Sequence, residues 1–439
     1  MTGTLRTNST NAILTMNEKE AENSQRLAEM IIQRGRPDKD SETQLFPLSL
    51  SSVGMRKSNL ADLLDCLTPV ATKSRREQDL LRFRANIQSI LLGAVASAFS
   101  YRWLAISTRN ENLKEDGLLG QFKFSRRRVE KILALLLDEG WLVMGRKGYL
   151  GKGTGNRRSK SSQYFAGDKL IRLFTSCLYE FDGAMELPTY HKFKDFSVEL
   201  IPSPDTYDAN EHILRRYNQH MSEHSWAMKG PTIRTFNETV CRGGRLYNRF
   251  QNLANRRIPL RKSTLIDGCP IAEPDFSCNH LRMAAALSGH ELPADPYSAL
   301  IEQVGGDPKK HRDVAKQFFT SCIGAKEIKQ KNGMMTAAAK LPDKTKRIRI
   351  VTYKNLLEAT NDLYPWIESN KIFFNDRGSQ LQKYEGDIAL KMIEWSVNEN
   401  IPLLPVHDSF AVRNIDEERT RIMMDISWNQ VVSGARLYR

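Results

Sequence analysis

Apolar residues recur with the spacing of a helix in the stretch that follows Ser125. They are Val129, Ile132, Leu133, Leu136 and Leu137, which fall on one helix face. Ser125 is a good N-cap, and Gly140 predicts where the helix ends. Residues 141–144 and the segment SQYFA have the composition of two strands, with a glycine-rich basic loop between them. The stretch therefore predicts a helix, a strand, a basic loop and a returning strand.

This order of elements resembles the winged-helix form of the helix-turn-helix fold. The preceding segment KEDGLLGQFKF would supply the shorter helix and the turn. The resemblance implies that the helix after Ser125 enters the major groove of DNA and that the loop, the wing, touches the backbone. The basic residues concerned are Arg126, Arg127 and Arg128 in the first helical turn, and Arg146, Lys147, Lys152, Arg157, Arg158 and Lys160 along the wing. A winged helix that contacts protein instead of DNA remains open.

A second pattern is an apolar run that polar residues interrupt, LPVHDSFAV at residues 404–412. It predicts a buried hairpin with Asp408 at its turn. A simple polar turn is one interpretation, and a metal ligand held on a rigid sheet is the other. Upstream, residues 271–274 resemble a strand end, and a helix is predicted from Cys278. Asp275 lies at this junction, where the first N–H groups of a helix favour phosphate.

Between these carboxylates, the segment HRDVAKQFFTSCIGA predicts a helix with a cationic face. Arg312, Lys316, Thr320 and Gly324 follow one another at i+4 steps and share this face. Such faces are common on solvated helices, so this one acquires meaning only beside two strand-end aspartates. Two carboxylates that hold two Mg²⁺ or Mn²⁺ ions, with cations that neutralise a triphosphate, are what phosphoryl transfer requires.

These segments occur in the order of motifs A, B and C of the family A DNA polymerases and the related single-subunit RNA polymerases of phages and mitochondria. DFSCNHLRMAAAL resembles motif A, because Asp275, Ser277, Leu281 and Arg282 match D-Y-S-x-x-E-L-R of the DNA enzymes, and Cys278 matches D-G-S-C-x-G-L-Q of the RNA enzymes. RDVAKQFFTSCIGA resembles motif B through Arg312 and Lys316. VHDSF resembles motif C, which is V-H-D-E in the DNA enzymes and H-D-S-F in the RNA enzymes.

Two more segments resemble the same family, and the likeness spans residues 242–412. QKYEGDIALKM keeps the Gln and Asp of Q-G-x-x-A-D-I, and RGGRLYNRFQNL is similar to the basic segment before motif A. The resemblance implies that Asp275, Asp408 and the backbone carbonyl of Phe276 ligate two metal ions. It assigns the incoming nucleotide to Arg312, Lys316, Thr320 and His280. It assigns primer or template to Arg245, Gln251, Gln382 and His407.

The sequence also departs from this family. Gly324 stands where motif B has the Tyr of a Tyr-Gly pair, which normally packs on the nascent base pair. His280 stands where the DNA enzymes have a sugar-excluding Glu and the RNA enzymes have Gly. On sterics alone this bulky residue predicts a preference for dNTPs, with some tolerance of ribose. The segment after Gly324 is short, so the fingers are expected to be reduced, and no stretch resembles a proofreading exonuclease.

Composition agrees with a nucleic-acid partner. The chain has 439 residues, 40% hydrophobic and 26% charged, which predicts two or three globular domains. The formal net charge of +14 favours a polyanion, although a merely soluble basic protein can carry it too. The six cysteines form no CxxC pair, which suggests a reducing cytoplasm. No apolar run is long enough to predict a signal core or a membrane span.

The expected fold class is α+β, with four regions along the chain. They are a flexible polar arm over residues 1–75, a winged-helix domain over 76–168, a helical connector with a thumb as one interpretation over 169–240, and a polymerase-like palm with reduced helical fingers over 241–439. The expected function is DNA polymerisation on primer–template DNA for a phage, plasmid or mobile element. The alternatives are an RNA polymerase or primase that uses NTPs, and a non-catalytic DNA-binding replication initiator or regulator.

Overall fold

The computed structural model describes residues 7–38, 43–45, 59–106, 125–148, 161–179, 185–194, 199–200, 210–326 and 352–435. The helices are α1 (Thr7–Arg34), α2 (Asn59–Ala71), α3 (Glu77–Phe99), α4 (Arg126–Asp138), α5 (Asp168–Ser176), α6 (Glu211–Ser222), α7 (Asn279–Leu287), α8 (Pro296–Gln303), α9 (Pro308–Gly324), α10 (Tyr353–Leu363), α11 (Trp366–Ser369), α12 (Arg377–Asn398) and α13 (Glu417–Ser433). The strands are β1 (Thr43–Leu45), β2 (Trp103–Ile106), β3 (Leu142–Arg146), β4 (Ser162–Ala166), β5 (His191–Lys194), β6 (Glu199–Leu200), β7 (Ile233–Asn237), β8 (Thr239–Tyr247), β9 (Leu265–Ile266), β10 (Cys269–Ala272), β11 (Leu403–Val406) and β12 (Ser409–Arg413). This mixture of helices with small sheets confirms the α+β class.

The chain divides into two compact units, and each is built from separate segments. The first unit comprises Met1–Leu187, Asn218–Pro231 and Asn248–Ala272. The second unit comprises Pro188–Tyr217, Thr232–Tyr247 and Glu273–Arg439. The chain therefore crosses between the units several times, which differs from the four consecutive regions that the sequence predicts.

The first unit contains a four-stranded sheet in the order β1-β2-β4-β3. β1 runs parallel to β2, whereas β4 pairs antiparallel with both β2 and β3. The predicted helix after Ser125 is confirmed as α4, which buries Val129, Ile132 and Leu136. Gly140 ends it in the left-handed region, with φ 69°. The two predicted strands are also confirmed, as β3 and β4.

The flexible arm predicted over residues 1–75 contains two helices. α1 buries Leu27 and Ile31, and α2 buries Leu60 and Leu64. These leucines and isoleucines recur at helical spacing, so each helix has an apolar face to bury. Abundant Ser, Thr and Asn around them obscure this pattern in the composition. The prediction of a flexible arm is therefore wrong for α1 and α2.

The later segments of the first unit are joined to its N-terminal part by hydrogen bonds. Asn23 Nδ2 in α1 donates to the carbonyl of Ser263 at 3.0 Å. The backbone N–H of Met228 donates to Leu178 at 2.9 Å, and that of Ala254 donates to Phe99 at 2.8 Å. These bonds satisfy backbone groups that would otherwise be buried without partners. Residues far apart in sequence thus complete one unit.

The second unit contains a sheet in the order β6-β5-β7-β8, with β5 parallel to β7. Three of these strands lie within residues 169–240, so the prediction of a helical connector there is wrong in part. The helices α5 and α6 are present, but HKFK forms β5 and IRTFN forms β7. The two segments have only four and five residues and no strict alternation of apolar and polar positions, so each strand is easily missed in the sequence.

Helix α12 packs closely on β8 in the second unit. A Cβ added at Gly386 in α12 would lie 1.9 Å from the carbonyl oxygen of Gly244 in β8. Glycine on the helix therefore permits the close approach of the strand backbone. Gly244 itself has φ 76°, a conformation that also favours glycine. This contact sets the distance between the helix and the sheet next to the candidate site.

The hairpin predicted at residues 404–412 is confirmed as β11 and β12. Leu403 pairs with Val412 and Val406 pairs with Ser409, and both strands are buried. The predicted cationic helix is confirmed as α9, which exposes Lys316 and Thr320. Its opposite face packs Phe318 and Phe319 against aromatic rings from α10 and the following segment. This aromatic core supports the face that carries the cations.

Candidate active site

Asp275 and Asp408 belong to one site because backbone pairing joins the segments that carry them. The N–H of Phe276 donates to the carbonyl of Asp408 at 3.0 Å. Asp275 also forms an isolated antiparallel bridge with Ser409. Asp275 is exposed and Asp408 is half-buried. The backbones of the two aspartates that the sequence assigns to metal ions are therefore neighbours, and Phe276 forms the bond between their segments.

The turn between β11 and β12 consists of His407 and Asp408, because Val406 pairs directly with Ser409. His407 has φ 58°, in the left-handed region that favours glycine. Its side chain is exposed, and its ring centroid lies 6.3 Å from that of Tyr247. The register of the hairpin thus fixes Asp408 at the turn and turns His407 outward, next to β8.

The electrostatics around Asp408 favour a bound cation. Burial raises the pKa of Asp408, and the negative charge of Glu385 raises it further, although His280 and Arg245 oppose this. Among the described residues, no side chain forms a hydrogen bond or ion pair with the carboxylate of Asp275 or Asp408. Carboxylate oxygens are the ligands that Mg²⁺ and Mn²⁺ prefer. The site therefore fits a divalent cation, although no group of three His, Cys, Asp or Glu ligands occurs in the described part of the chain.

A buried carboxylate lies behind this site. Glu385 in α12 is 3% exposed, and its Oε2 accepts from Arg245 Nη2 and from His280 Nε2, each at 2.7 Å. Burial by itself would raise the pKa of Glu385, but the bond to His280 and the charges of His280 and Arg245 outweigh it. The pKa of Glu385 is therefore below its ordinary value. Glu385 is ionised at neutral pH and holds two predicted substrate-contacting residues together.

Sequence analysis did not identify Glu385, although a signal for it was present. Leu381, Ile388 and Met392 fall at i−4, i+3 and i+7 from Glu385. All three are buried, so the carboxylate lies on the apolar face of α12. A charged residue at such a position requires a partner, because burying an isolated charge is costly.

Asp387 has a structural partner in the neighbouring sheet. Arg234 in β7 is fully buried, and its Nη2 lies 2.6 Å from Asp387 Oδ1. Its Nε donates to the carbonyl of Gly244 at 2.9 Å. Lys383 Nζ also lies 2.7 Å from Asp387. Asp387 therefore holds α12 against the sheet, and the motif position has a role in packing.

Of the two cations on the predicted face of α9, Arg312 is held by residues at the start of α8. Arg312 Nε donates to Asp295 Oδ2 at 2.7 Å, and the guanidinium lies 5.2 Å from the centroid of the Tyr297 ring. Tyr297 in turn interacts with Cys278, the N-cap of α7, and burial raises the pKa of its hydroxyl. Asp295 caps α8 by accepting from the backbone N–H of Tyr297. Arg312 is thereby held in place, while Lys316 and Thr320 remain exposed.

The remaining residues assigned to primer or template differ in placement. Gln382 is half-buried on α12, in the same unit as the aspartates. Arg245 is 23% exposed because Glu385 engages it. Gln251 belongs to the first unit. Gln382, Arg245 and His407 are thus in the second unit with the carboxylates, and Gln251 is not.

The basic residues assigned to DNA in the first unit also differ. Arg126 and Arg127 are exposed on the first turn of α4, where Arg126 forms an ion pair with Glu130 at 2.8 Å. Arg128 instead lies over the ring of Phe83, 5.3 Å from its centroid. Lys147 is exposed and Arg146 is half-buried. The wing residues Lys152, Arg157, Arg158 and Lys160 lie outside the described residues.

Comparison of the chain with protein-family models, with curated proteins and with solved structures finds no match. The resemblance to polymerases therefore rests on the sequence motifs. Along the described residues, no helix combines the length and the apolar character that crossing a membrane requires.

Proposed function

We propose that the second unit catalyses template-directed nucleotidyl transfer at Asp275 and Asp408. The observation that carries this proposal is the backbone pairing that joins the segments of Asp275 and Asp408, with no cationic side chain of the described residues paired to either carboxylate. A cationic helix face, on α9, lies in the same unit. Structural carboxylates usually have Arg or Lys partners, as Asp387 does here. A pair without such partners favours a metal site.

In this reaction the 3′-hydroxyl oxygen of a primer bonds to the α-phosphorus of a nucleoside triphosphate. The bond from that phosphorus to pyrophosphate breaks, and the hydroxyl proton leaves to solvent. Asp275 and Asp408 would hold two Mg²⁺ or Mn²⁺ ions, which supply charge neutralisation and polarise the reacting oxygens. Arg312 and Lys316 would neutralise the triphosphate. The ion pair with Asp295 fixes Arg312 before a substrate arrives, which reduces the entropy lost on binding.

The first unit supports a proposal of its own, a winged helix that binds duplex DNA. After α3, the strands β2, β4 and β3 are neighbours in that order, and α4 precedes β3. This connectivity supports the winged-helix assignment, and two arginines on the first turn of α4 lie outside the core; the shorter helix predicted from KEDGLLGQFKF lies outside the described residues. The proposed contacts to DNA are those of Arg126, Arg127 and Lys147. Arg128 is left out, because it packs on Phe83.

The test is extension of a labelled primer on a template, with Mg²⁺ and either dNTPs or NTPs. We expect wild type to extend the primer. Asp275→Asn and Asp408→Asn should each reduce the rate by about 10³-fold or more, because each removes a metal ligand. Asp425→Asn is the matched control, since Asp425 is an exposed carboxylate on α13.

Full activity of either variant would refute the assignment of these aspartates. Binding of duplex DNA with no incorporation under any condition would instead favour a non-catalytic replication initiator or regulator. An RNA polymerase or primase is the second candidate function. One specific observation favours it, namely that a buried carboxylate engages the residue at the expected position of the sugar, His280.

A further inference from the structure

Three elements meet at the carboxylate of Glu385 in the second unit. Glu385 comes from α12, His280 from the first turn of α7, and Arg245 from β8. His280 and Arg245 are each 23% exposed, whereas Glu385 is 3% exposed. Arg245 Nη2 also lies 3.4 Å from His280 Nε2. The buried carboxylate therefore determines where two more accessible side chains can point.

The same contact fixes the hydrogen-bonding roles of the His280 ring. An ionised carboxylate has only acceptors, so Nε2 of His280 must carry the proton that it donates to Glu385. Nδ1 has no hydrogen-bond partner among the described residues. In a neutral ring Nδ1 accepts, and in a charged ring it donates. A hydroxyl group can serve either case, because it is both a donor and an acceptor.

We propose that Glu385 is a positioning residue that fixes His280 to pair with the 2′-hydroxyl of an incoming ribonucleotide. This inference rests on the proposed polymerase function. His280 lies on the first turn of the helix that follows Asp275, and Phe276 of the same segment donates its N–H to the carbonyl of Asp408 at 3.0 Å. Its ring is drawn towards Glu385 and Arg245 and offers Nδ1 as the polar group. The site therefore selects the sugar through a hydrogen bond, and it uses NTPs in preference to dNTPs, contrary to the steric expectation from sequence.

A purely structural role for Glu385, as the counter-charge of half-buried Arg245, makes a different prediction. In that case its removal would destabilise the fold or weaken the binding of all nucleotides equally. The effect would not depend on His280. A double-mutant cycle separates the two roles, because residues that act through one another have non-additive effects. The variants are Glu385→Gln, His280→Leu and the double variant. Gln keeps the size of Glu but removes its negative charge, so the bonds from His280 and Arg245 lose the charge that strengthens them. Glu394→Gln on the same helix is the matched control.

The measurement is the dissociation constant of GTP and of dGTP for the full chain with primer–template, in Ca²⁺ to hold the complex before reaction. We expect wild type to bind GTP about three- to tenfold more tightly than dGTP, the factor for one partly exposed hydrogen bond. Each single variant should bring the ratio close to one, and the double variant should change it no further. Glu394→Gln should keep the wild-type ratio. Thermal unfolding of each variant identifies any that fails to fold; if Glu385→Gln does so, Glu385→Asp, which keeps the charge but shortens the side chain, replaces it in the cycle.

Equal affinity for GTP and dGTP in wild type would overturn the inference, even if primers are extended. Additive effects of Glu385→Gln and His280→Leu on the ratio would overturn it too, since Glu385 would then not act through His280. Failure of the proposed function gives a different result. A preference for GTP that both single variants lose, with no incorporation in Mg²⁺, would support the sugar contact and refute the polymerase.

Discussion

Gly386→Ala tests the packing that positions the candidate site. The added Cβ would lie 1.9 Å from the carbonyl oxygen and 2.8 Å from the carbonyl carbon of Gly244. Carbon and oxygen normally approach no closer than about 3.3 Å. Both groups belong to backbone, so no side-chain rotation can relieve the contact. Helix α12 and strand β8 must therefore separate by about 1 Å or more.

The magnitude follows from two opposing terms. Overpacking of this kind costs about 1–3 kcal/mol, and backbone on both sides favours the upper end. Alanine in a helix interior returns about 1 kcal/mol relative to glycine. We therefore expect Gly386→Ala to lower the free energy of unfolding by about 2 kcal/mol. The same displacement lengthens the bonds from Arg245 to Glu385 and from Arg234 to Asp387.

The assay is urea unfolding at neutral pH, together with primer extension by the folded protein. Gly324→Ala is the control, because a Cβ at the end of α9 meets nothing within 4 Å. That variant should be as stable as wild type or slightly more stable. A stability of Gly386→Ala within about 0.5 kcal/mol of wild type would show that the helix and strand adjust freely, and the packing argument would fail.

Two further predictions concern charge. Replacing Arg126 and Arg127 together by Ala should weaken duplex DNA binding and reduce the slope of log K against log salt by about 0.9 for each phosphate that the variant no longer binds. The control Arg75→Ala, at another exposed arginine, should leave the slope unchanged. An unchanged slope for the double variant would exclude α4 from the DNA interface. Asp408→Asn should raise the free energy of unfolding at pH 7 while it abolishes extension, because a carboxyl whose folded pKa is raised by burial destabilises the fold once pH exceeds its unfolded pKa. The gain in stability should disappear as pH falls below the ordinary pKa range of an aspartate. A variant that is less stable than wild type at pH 7 would contradict the burial argument.

The elements that sequence predicts well are those with a long apolar period or clear ends. α4 has five apolar residues at helical spacing, and α7 lies between Cys278 and Gly289. The hairpin at Asp408 is predictable because an apolar run with a polar centre is compatible with few structures other than two buried strands joined by a turn. In each case the information lies within a short stretch, so pattern alone is sufficient.

The remaining features depend on partners distant in sequence. Nothing near Glu385 reveals that Arg245 and His280 lie against it, since they come from β8 and α7. Arg128 looks equivalent to Arg126 and Arg127, but Phe83 of another helix determines that it packs inward. The strands β5 and β7 are short, and their pairing with each other defines them more than their composition does. Tertiary contacts therefore determine the partners of Glu385, the packing of Arg128 and the formation of β5 and β7.

The division of the chain into interleaved segments has a consequence for its synthesis. Domains generally fold as units while the chain emerges from the ribosome, N-terminal part first. Here the first unit needs residues up to Ala272, because Met228, Ala254 and Ser263 form bonds with residues of its N-terminal segment. Until those residues emerge, the nascent chain presents an unfinished surface, and a ribosome stalled before them would leave an incomplete unit open to chaperones and proteases.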